Sequence, residues 1–167
     1  MSEHQSLLIL GLGNTLLTDD GVGPAAVTSL KESYLVPAGV QVLDGGTLGL
    51  SLLPYIEDVD AVILVDAIRD DAPPGTLVRL QGDDVGPAVA TRLSPHQIGV
   101  ADVLDGARWC DRYPRSVVLL GIVPESIDLA CGLSPDVARA LPALVERVAE
   151  EALTLGFGLT RIGAPDA

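Results

Sequence analysis

The sequence predicts an α/β fold, with a doubly wound, mostly parallel five-stranded twisted sheet sandwiched by helices. Two observations support this prediction. Residues 7–10, 61–65 and 117–120 are continuously hydrophobic, which is typical of strands that helices cover on both faces. Strand and helix patterns also alternate along the chain, as in parallel sheets with right-handed crossovers. We therefore expect the three apolar runs to form the centre of the sheet.

The elements follow in order along the chain. Strands are predicted at residues 7–12, 40–43, 61–65, 76–80 and 117–123, and helices at about 23–33, 48–56, 97–108 and 135–153. The last helix has a long apolar face, and Ser134 and Pro135 provide an N-cap residue followed by proline at the first helical position. Residues 67–95 are rich in proline, glycine and aspartate, and we expect a long irregular connection that contains one short strand there.

Length and charge narrow the class of protein. The 167 residues fit one domain with a substantial core, and we expect residues 1–6 and about 156–167 to be frayed ends. Ten basic and 23 acidic residues give a net charge of −13, which argues against binding to nucleic acid or to an anionic membrane. The mean hydropathy of +0.41 is high, yet no apolar run approaches the roughly 18 residues of a membrane span. A secretory start is absent too, so we expect a cytoplasmic protein.

The glycine-rich segment 11–24 is the most informative stretch. It follows the first predicted strand, where glycines often form a phosphate-binding turn, but Leu16 occupies the third glycine position of the dinucleotide fingerprint. The turn ends in Asp19 and Asp20, and two adjacent carboxylates repel a phosphate and suit a cation. We expect this loop to present Asp19 or Asp20.

Further acidic residues follow the other predicted strands. Asp44 ends the second strand, Asp66 ends the third, and Glu125 follows the last. Because ligands of open parallel sheets bind beyond the carboxyl ends of the strands, these residues predict an acidic binding rim at one edge. Simpler roles stay open: Asp19 or Asp20 as a helix cap, Asp66 as a turn residue, and Asp44 with its two following glycines as a structural turn.

His96 is the one histidine outside the N-terminal tail. It is either a structural residue in the first turn of a helix or the third member of a ligand set with two carboxylates, which suits nickel, zinc or iron. The wide spacing is not a metal signature in itself, and a zincin is excluded because the chain lacks His-Glu-x-x-His. Nothing in the sequence shows a nearby base or a pKa-lowering environment for Cys110 or Cys131, and we expect buried structural thiols.

Five segments resemble those of one family, in the same order. Residues 10–23, Leu-Gly-Leu-Gly-Asn-Thr-Leu-Leu-Thr-Asp-Asp-Gly-Val-Gly, are similar to the opening motif of the [NiFe]-hydrogenase maturation endopeptidases. Further similar blocks are Asp-Gly-Gly-Thr at 44–47, Val-Asp-Ala at 65–67, Ser-Pro-His-Gln at 94–97 and Val-Pro-Glu-Ser at 123–126. The Ser-Pro-His-Gln block looks most like the subgroup that processes membrane-bound uptake hydrogenases.

The resemblance implies a single protease domain over residues 1–167 that removes a C-terminal extension from the hydrogenase large-subunit precursor after nickel insertion. It implies Asp20, Asp66 and His96 as ligands of a nickel ion that the precursor supplies, with no tightly bound metal of the enzyme's own. Relatives have Glu or Asp at the position of Asp20. Whether nickel acts in the hydrolysis or only in recognition stays open, and Asp44 is a candidate for the proton transfers.

Three alternatives to this interpretation remain at the level of sequence. The first is a nickel-binding escort protein that accompanies the precursor without cutting it. The second is an unrelated metal-dependent hydrolase with the same sheet and acidic rim. The third is a small-molecule binding module, on which nickel would have no effect. We expect a monomer that forms a transient complex with the precursor, and no contact with nucleic acid or membrane.

Overall fold

The computed structural model describes residues 5–46, 48–90 and 99–163. Its seven strands are β1 (Leu7–Leu12), β2 (Tyr34–Leu35), β3 (Val40–Gly46), β4 (Ala61–Ala67), β5 (Leu77–Gln81), β6 (Ser116–Ile122) and β7 (Thr160–Arg161). Its α-helices are α1 (Val22–Ser33), α2 (Leu53–Glu57), α3 (Val85–Ala90), α4 (Val100–Trp109) and α5 (Pro135–Thr154), with 3₁₀ turns at Thr18–Gly21, Gly49–Leu52 and Gly82–Asp84. Within these residues, no helix combines the length and the apolar character that crossing a membrane requires.

The central sheet has five strands in the order β3-β1-β4-β6-β5. The first four are parallel, and β5 pairs antiparallel to β6 at one edge. β1 and β4 are buried along their whole length, whereas β5 is half-exposed, as expected for central and edge strands. The predicted fold class, a mostly parallel five-stranded sheet flanked by helices, is confirmed.

Side chains alternate between two cores on opposite faces of the sheet. Leu7 and Ile9 point into the first core, with α1 and α5, whereas Leu8 and Leu10 point into the second, with α2, α3 and α4. This alternation follows from the period of two in a strand. It also assigns each polar residue at the end of a strand to one face or the other.

Two glycines let α1 lie directly on the sheet. A Cβ atom on Gly23 would come within 2.1 Å of the Leu12 carbonyl oxygen and 2.4 Å of that of Val65, and one on Gly11 within 2.5 Å of the Gly23 carbonyl oxygen. No side chain fits at either position. The close approach sets the first turn of α1 against the carboxyl ends of β1 and β4, beside the predicted rim.

Three segments differ from the sequence-based prediction. The helix predicted at 48–56 is a 3₁₀ turn followed by the five-residue α2, and the short helix α3 was not predicted. The sequence predicts a frayed end from Gly156, but Phe157 is packed in the first core and β7 pairs with β2. The isolated pair of two-residue strands is too short to give a recognisable alternating pattern.

Candidate metal-binding and catalytic site

The chain reverses sharply after β1, and this turn brings Asp20 back over the end of the strand. Gly13 has a φ of 124°, and a Cβ atom there would lie 1.8 Å from the Asp20 carbonyl oxygen. The conformation and the contact both require glycine. The Asn14 amide then donates a 2.7 Å hydrogen bond to Asp20 Oδ2, which fixes the orientation of this half-buried carboxylate.

Neither acidic residue of the turn caps α1. The N-cap residue of α1 is Gly21, and the helix has no side-chain capping hydrogen bond at this end. Asp19 and Asp20 lie instead in the preceding 3₁₀ turn, which packs against β4. The capping alternative for these two residues is therefore wrong, and their side chains serve other purposes.

Asp66 lies within β4, one residue before its end. The residue is 1% exposed, and its Oδ1 accepts a 2.9 Å hydrogen bond from the Ala67 amide. Because Asp66 follows Leu64 by two positions, it lies on the face of the second core. A carboxylate on a rigid central strand is well held for coordination, and its strand position brings it to the same sheet edge as Asp20.

Asp19 has a role that the sequence does not reveal, since it fastens a distant loop. Its side chain is fully buried. Oδ1 accepts a 2.7 Å bond from the Ser134 amide, and Oδ2 accepts bonds from Ser134 Oγ at 2.8 Å, the Glu125 amide at 2.9 Å and the Ser126 amide at 3.1 Å. Burial raises the pKa of this carboxyl, but the hydrogen bonds from Ser134, Ser126 and Glu125 outweigh it and hold the pKa below its usual range.

Backbone bonds join the same two segments. The Asp19 amide donates to the Ser126 carbonyl at 3.1 Å, the Thr18 amide to the Ala130 carbonyl at 2.9 Å, and the Ala130 amide to the Leu16 carbonyl at 3.0 Å. We refer to residues 123–134, which connect β6 to α5, as the β6–α5 loop. Together with Asp19, these bonds hold the β6–α5 loop against the turn that carries Asp20.

Two sequence-based assignments in this loop change. Ser134 is the N-cap residue of α5, as predicted, but it makes no side-chain cap, and its hydroxyl donates to Asp19. Glu125, a predicted member of the acidic rim, is exposed and bonds to Asp19 through its backbone amide.

Asp44 lies near the end of β3 and is exposed. Its Oδ1 accepts a 2.9 Å hydrogen bond from the Gly46 amide. Asp44 follows Val42 by two positions and therefore lies on the face of the first core, opposite to Asp66. It lines two adjacent cavities beside Pro24 of α1. The neighbouring position 47 lies outside the described residues.

The structure brings Asp20 and Asp66 to one edge of the sheet, but the third predicted ligand is not tested. His96 lies outside the described residues, which omit 91–98. Among the residues that are described, no three histidine, cysteine or acidic side chains cluster as a metal site would require. Cys110 and Cys131 are exposed and not buried as predicted: Cys110 follows the end of α4, and Cys131 lies in the β6–α5 loop.

Comparison with known proteins gives consistent matches. A sequence model described as hydrogenase maturation protease matches residues 24–151. The chain is 39% identical over 144 residues to the hydrogenase 2 maturation protease of Escherichia coli, covering 85% of this chain and 87% of that protein. It is 37% identical over 160 residues to the hydrogenase expression/formation protein HupD of Rhodobacter capsulatus, covering 94% and 76%.

Solved structures agree with the sequence matches. The hydrogenase maturating endopeptidase HybD from E. coli superposes with a TM-score of 0.89 at 35% identity, covering 95% of this chain and 98% of that one. The [NiFe] hydrogenase maturation protease HybD from Thermococcus kodakarensis superposes with a TM-score of 0.66 at 28% identity, covering 89% and 99%. The similarity therefore extends over nearly the whole length of these endopeptidases.

Proposed function

This chain belongs to the hydrogenase maturation protease family, and from that membership we propose that it removes the C-terminal extension of a [NiFe]-hydrogenase large-subunit precursor after nickel insertion. The chain is an endopeptidase, because it matches a maturation protease and a maturating endopeptidase over most of their length. That assignment disfavours the escort protein, which would not cut its partner. The proposal adds the substrate and the role of nickel.

The observation that carries the proposal is the position of Asp20 and Asp66 at the carboxyl edge of the sheet. Asp20 is oriented by the Asn14 amide, and Asp66 is held within a central strand. We assign Asp20, Asp66 and His96 as ligands of the nickel that the precursor brings. Two carboxylates neutralise the charge of a divalent ion, and a neutral imidazole adds a softer ligand. Nickel is thus part of the substrate, and the enzyme needs no tightly bound metal of its own.

Asp44 is our candidate for the proton transfers. β1 lies between β3 and β4, so Asp44 and Asp66 are two strand spacings apart, roughly 10 Å between backbones. In this proposal the scissile peptide bond of the precursor lies above Gly13, between the two carboxylates. There Asp44 takes a proton from the attacking water as the new C–O bond forms, and returns it to the leaving nitrogen as the C–N bond breaks.

The test is mass spectrometry of the cognate precursor, loaded with nickel or free of it, after incubation with this protein. We expect loss of a short C-terminal peptide from the nickel-loaded form alone. Binding of the loaded precursor without any change of mass would overturn the proposal in favour of an escort protein. Equal cleavage of both forms would remove nickel from the recognition step.

Variants separate the assigned roles. We expect His96→Ala and Asp66→Asn to abolish both cleavage and nickel-dependent binding of the precursor. Asp44→Asn should abolish cleavage but leave that binding intact. Asp105→Asn, an exposed carboxylate on α4, is the matched control and should cleave at the wild-type rate. Cleavage that persists in His96→Ala would contradict the role of His96.

We further propose that the enzyme acts as a monomer in the cytoplasm. Its exposed, unpaired thiols, Cys110 and Cys131, fit a reducing compartment. Light scattering during size-exclusion chromatography tests the monomer. Fractionation of the producing cells tests the compartment, and recovery of the protein outside the cytoplasm would contradict it.

A further inference from the structure

A cavity of about 590 Å³ opens beside the exposed side of α1, on the face of the sheet opposite to Asp66. We call it the α1 groove, and define it by Thr15, Pro24, Thr28, Glu32, Asp44 and Leu133 of its lining. A second cavity of about 160 Å³ shares Thr15, Pro24 and Asp44 and extends to Gly13. The combined space has the size of a site for a small ligand or a short peptide.

The α1 groove begins at the proposed reaction centre. Thr18 and Gly21, which flank Asp19 and Asp20 in the 3₁₀ turn, belong to its lining, and so does Asp44. From Gly21 the lining continues along α1 to Glu32. Eleven helical positions cover about 16 Å, which is the length of about five residues of extended peptide. A polypeptide that crosses the sheet edge at Gly13 can therefore continue along this helix.

The wall of the groove opposite α1 is fixed in place. Gly132 and Leu133 of the β6–α5 loop belong to it, and they directly precede Ser134, which bonds to the buried Asp19 through both its amide and its hydroxyl. A wall held by a buried carboxylate needs little ordering when a ligand binds. Such preorganisation lowers the entropic cost of binding an extended segment.

The charge of the lining selects the occupant. Asp44 and Glu32 are acidic, and the described lining contains no lysine or arginine. In the described part of the chain, neither carboxylate forms an ion pair. The remaining lining combines hydroxyls with small apolar groups such as Thr28 and Ala25, which suit the backbone of a peptide. A cationic side chain of a ligand would therefore complement the negative charge of the groove.

We propose that the α1 groove binds an extended segment of the precursor next to the scissile bond, with a lysine or arginine of that segment paired to Glu32. This inference rests on the proposed function, because the occupant is the substrate of the cleavage reaction. It adds a specificity-determining residue that lies away from the metal ligands.

The experiment is steady-state cleavage of the nickel-loaded precursor by Glu32→Lys, with Asp105→Lys as the matched control. Both changes reverse one exposed helical carboxylate, but Asp105 lies on α4, across the sheet from the groove. We expect Glu32→Lys to raise KM at least fivefold with kcat within twofold of wild type, and Asp105→Lys to leave both within twofold. Thr28→Trp, an exposed position, should also raise KM by filling the groove.

Charge reversal in the substrate identifies the partner. Each lysine and arginine among the last thirty or so residues of the precursor is changed to glutamate in turn. One of these changes should raise KM with the wild-type enzyme and restore it with Glu32→Lys. Equal KM values for Glu32→Lys, Asp105→Lys and wild type would overturn the inference while leaving the proposed function intact.

Direct binding keeps the two proposals separable. A fluorescein-labelled synthetic peptide spanning the last thirty or so residues of the precursor is titrated with the wild-type enzyme and with Glu32→Lys. Binding to wild type that weakens at least fivefold in the variant supports the groove even if no precursor is cleaved. No binding, or equal binding to both proteins, contradicts it.

Discussion

At the scale of single residues, two neighbouring carboxylates of one turn serve different purposes. Asp19 is fully buried and bonded to the β6–α5 loop, whereas Asp20 is half-buried and oriented by the Asn14 amide. The sequence predicts that one of the pair is presented for function, but it does not separate them. Asp19 bonds to residues 106 to 115 positions away, and no local pattern encodes such partners.

Replacing Asp19 with asparagine should cost about 3 kcal/mol of the free energy of unfolding, because hydrogen bonds to a buried charged group are strong and the new amide presents N–H groups to N–H donors. Urea denaturation of the variant measures the loss. Asp128→Asn is the control, since this residue lies in the same loop with its side chain exposed, and it should change stability by less than about 0.5 kcal/mol. Equal losses in both variants would contradict the assigned role of Asp19.

The candidate site was predictable to the extent that strand ends determine it. Asp44 and Asp66 end apolar runs, and parallel strands end at one edge, so the pattern places them there without a structure. It does not show that they point to opposite faces, because that depends on the register of side chains relative to each core. The part of the site that includes His96 remains a prediction.

At the scale of elements, the position of α1 on the sheet depends on glycines, which have no side chain, at the contact. Gly23→Ala introduces a Cβ atom within 2.4 Å of two backbone oxygens on two strands, and neither strand can move away cheaply. We expect a loss of about 3 kcal/mol or more, since backbone must shift to relieve the overlap. Gly86→Ala in α3 is the matched control, because nothing lies within 4 Å of the added atom; it should be neutral or stabilising by up to about 1 kcal/mol. Thermal unfolding followed by circular dichroism compares the two, and a neutral Gly23→Ala would contradict this packing.

The ion pair between α5 and the edge strand β5 should make stability depend on pH. Arg79 donates to Glu151 at 2.9 and 2.8 Å. The hydrogen bonds from Arg79 lower the pKa of Glu151 from the ordinary value of 4.5, and the positive charge of Arg79 adds to this effect. Burial of Glu151 acts in the opposite direction but is outweighed. A lowered folded pKa means that the stabilisation is complete above about pH 4.5 and is lost as the pH falls through the folded value.

Glu151→Gln tests this dependence. Because the Arg79 side chain is 40% exposed, solvent screens the pair, and we expect the variant to be about 1 kcal/mol less stable than wild type at pH 7. The difference should shrink towards zero below pH 4.5, as measured by urea denaturation at several pH values. Glu146→Gln, whose pair with Arg161 is exposed on both sides, should show little difference at any pH. A deficit of Glu151→Gln that is the same at pH 7 and pH 3.5 would contradict the electrostatic origin.

Elements were predictable where burial leaves a strong local pattern. β1, β4 and β6 are continuous apolar runs and were located within one or two residues, and α5 was located from its amphipathic face and Pro135. The short helix α3 contains Gly86 and Pro87, which locally indicate a loop. Packing against the second core overrides that preference. Phe157 likewise looks like part of a disordered tail in the sequence, because its packing in the first core depends on residues that are distant in the chain.

At the scale of the whole molecule, the sheet separates two tasks that meet at its carboxyl edge. Asp66 lies on the face of the second core, and Asp44 and the α1 groove lie on the face of the first. In our proposal the precursor's nickel binds on the face of the second core, its polypeptide binds on the face of the first core, and the scissile bond lies above β1. Cleavage then requires both parts of the precursor to be present and correctly connected, which is the specificity that a maturation step needs.

The net charge of −13 should make the capture of a cationic segment sensitive to salt. Ions screen charges separated by more than about 8 to 10 Å at 0.1 to 0.15 M ionic strength, so long-range attraction to the acidic enzyme weakens as salt is added. We expect KM for the nickel-loaded precursor to rise severalfold between about 50 and 300 mM NaCl, with kcat nearly unchanged, because the pairing at Glu32 affects binding and leaves the reacting groups alone. Glu32→Lys should show a clearly weaker dependence, and Asp105→Lys should follow the wild type, although both variants carry the same net charge. If both variants lose the salt dependence equally, overall charge alone governs capture, and the pairing at Glu32 is wrong.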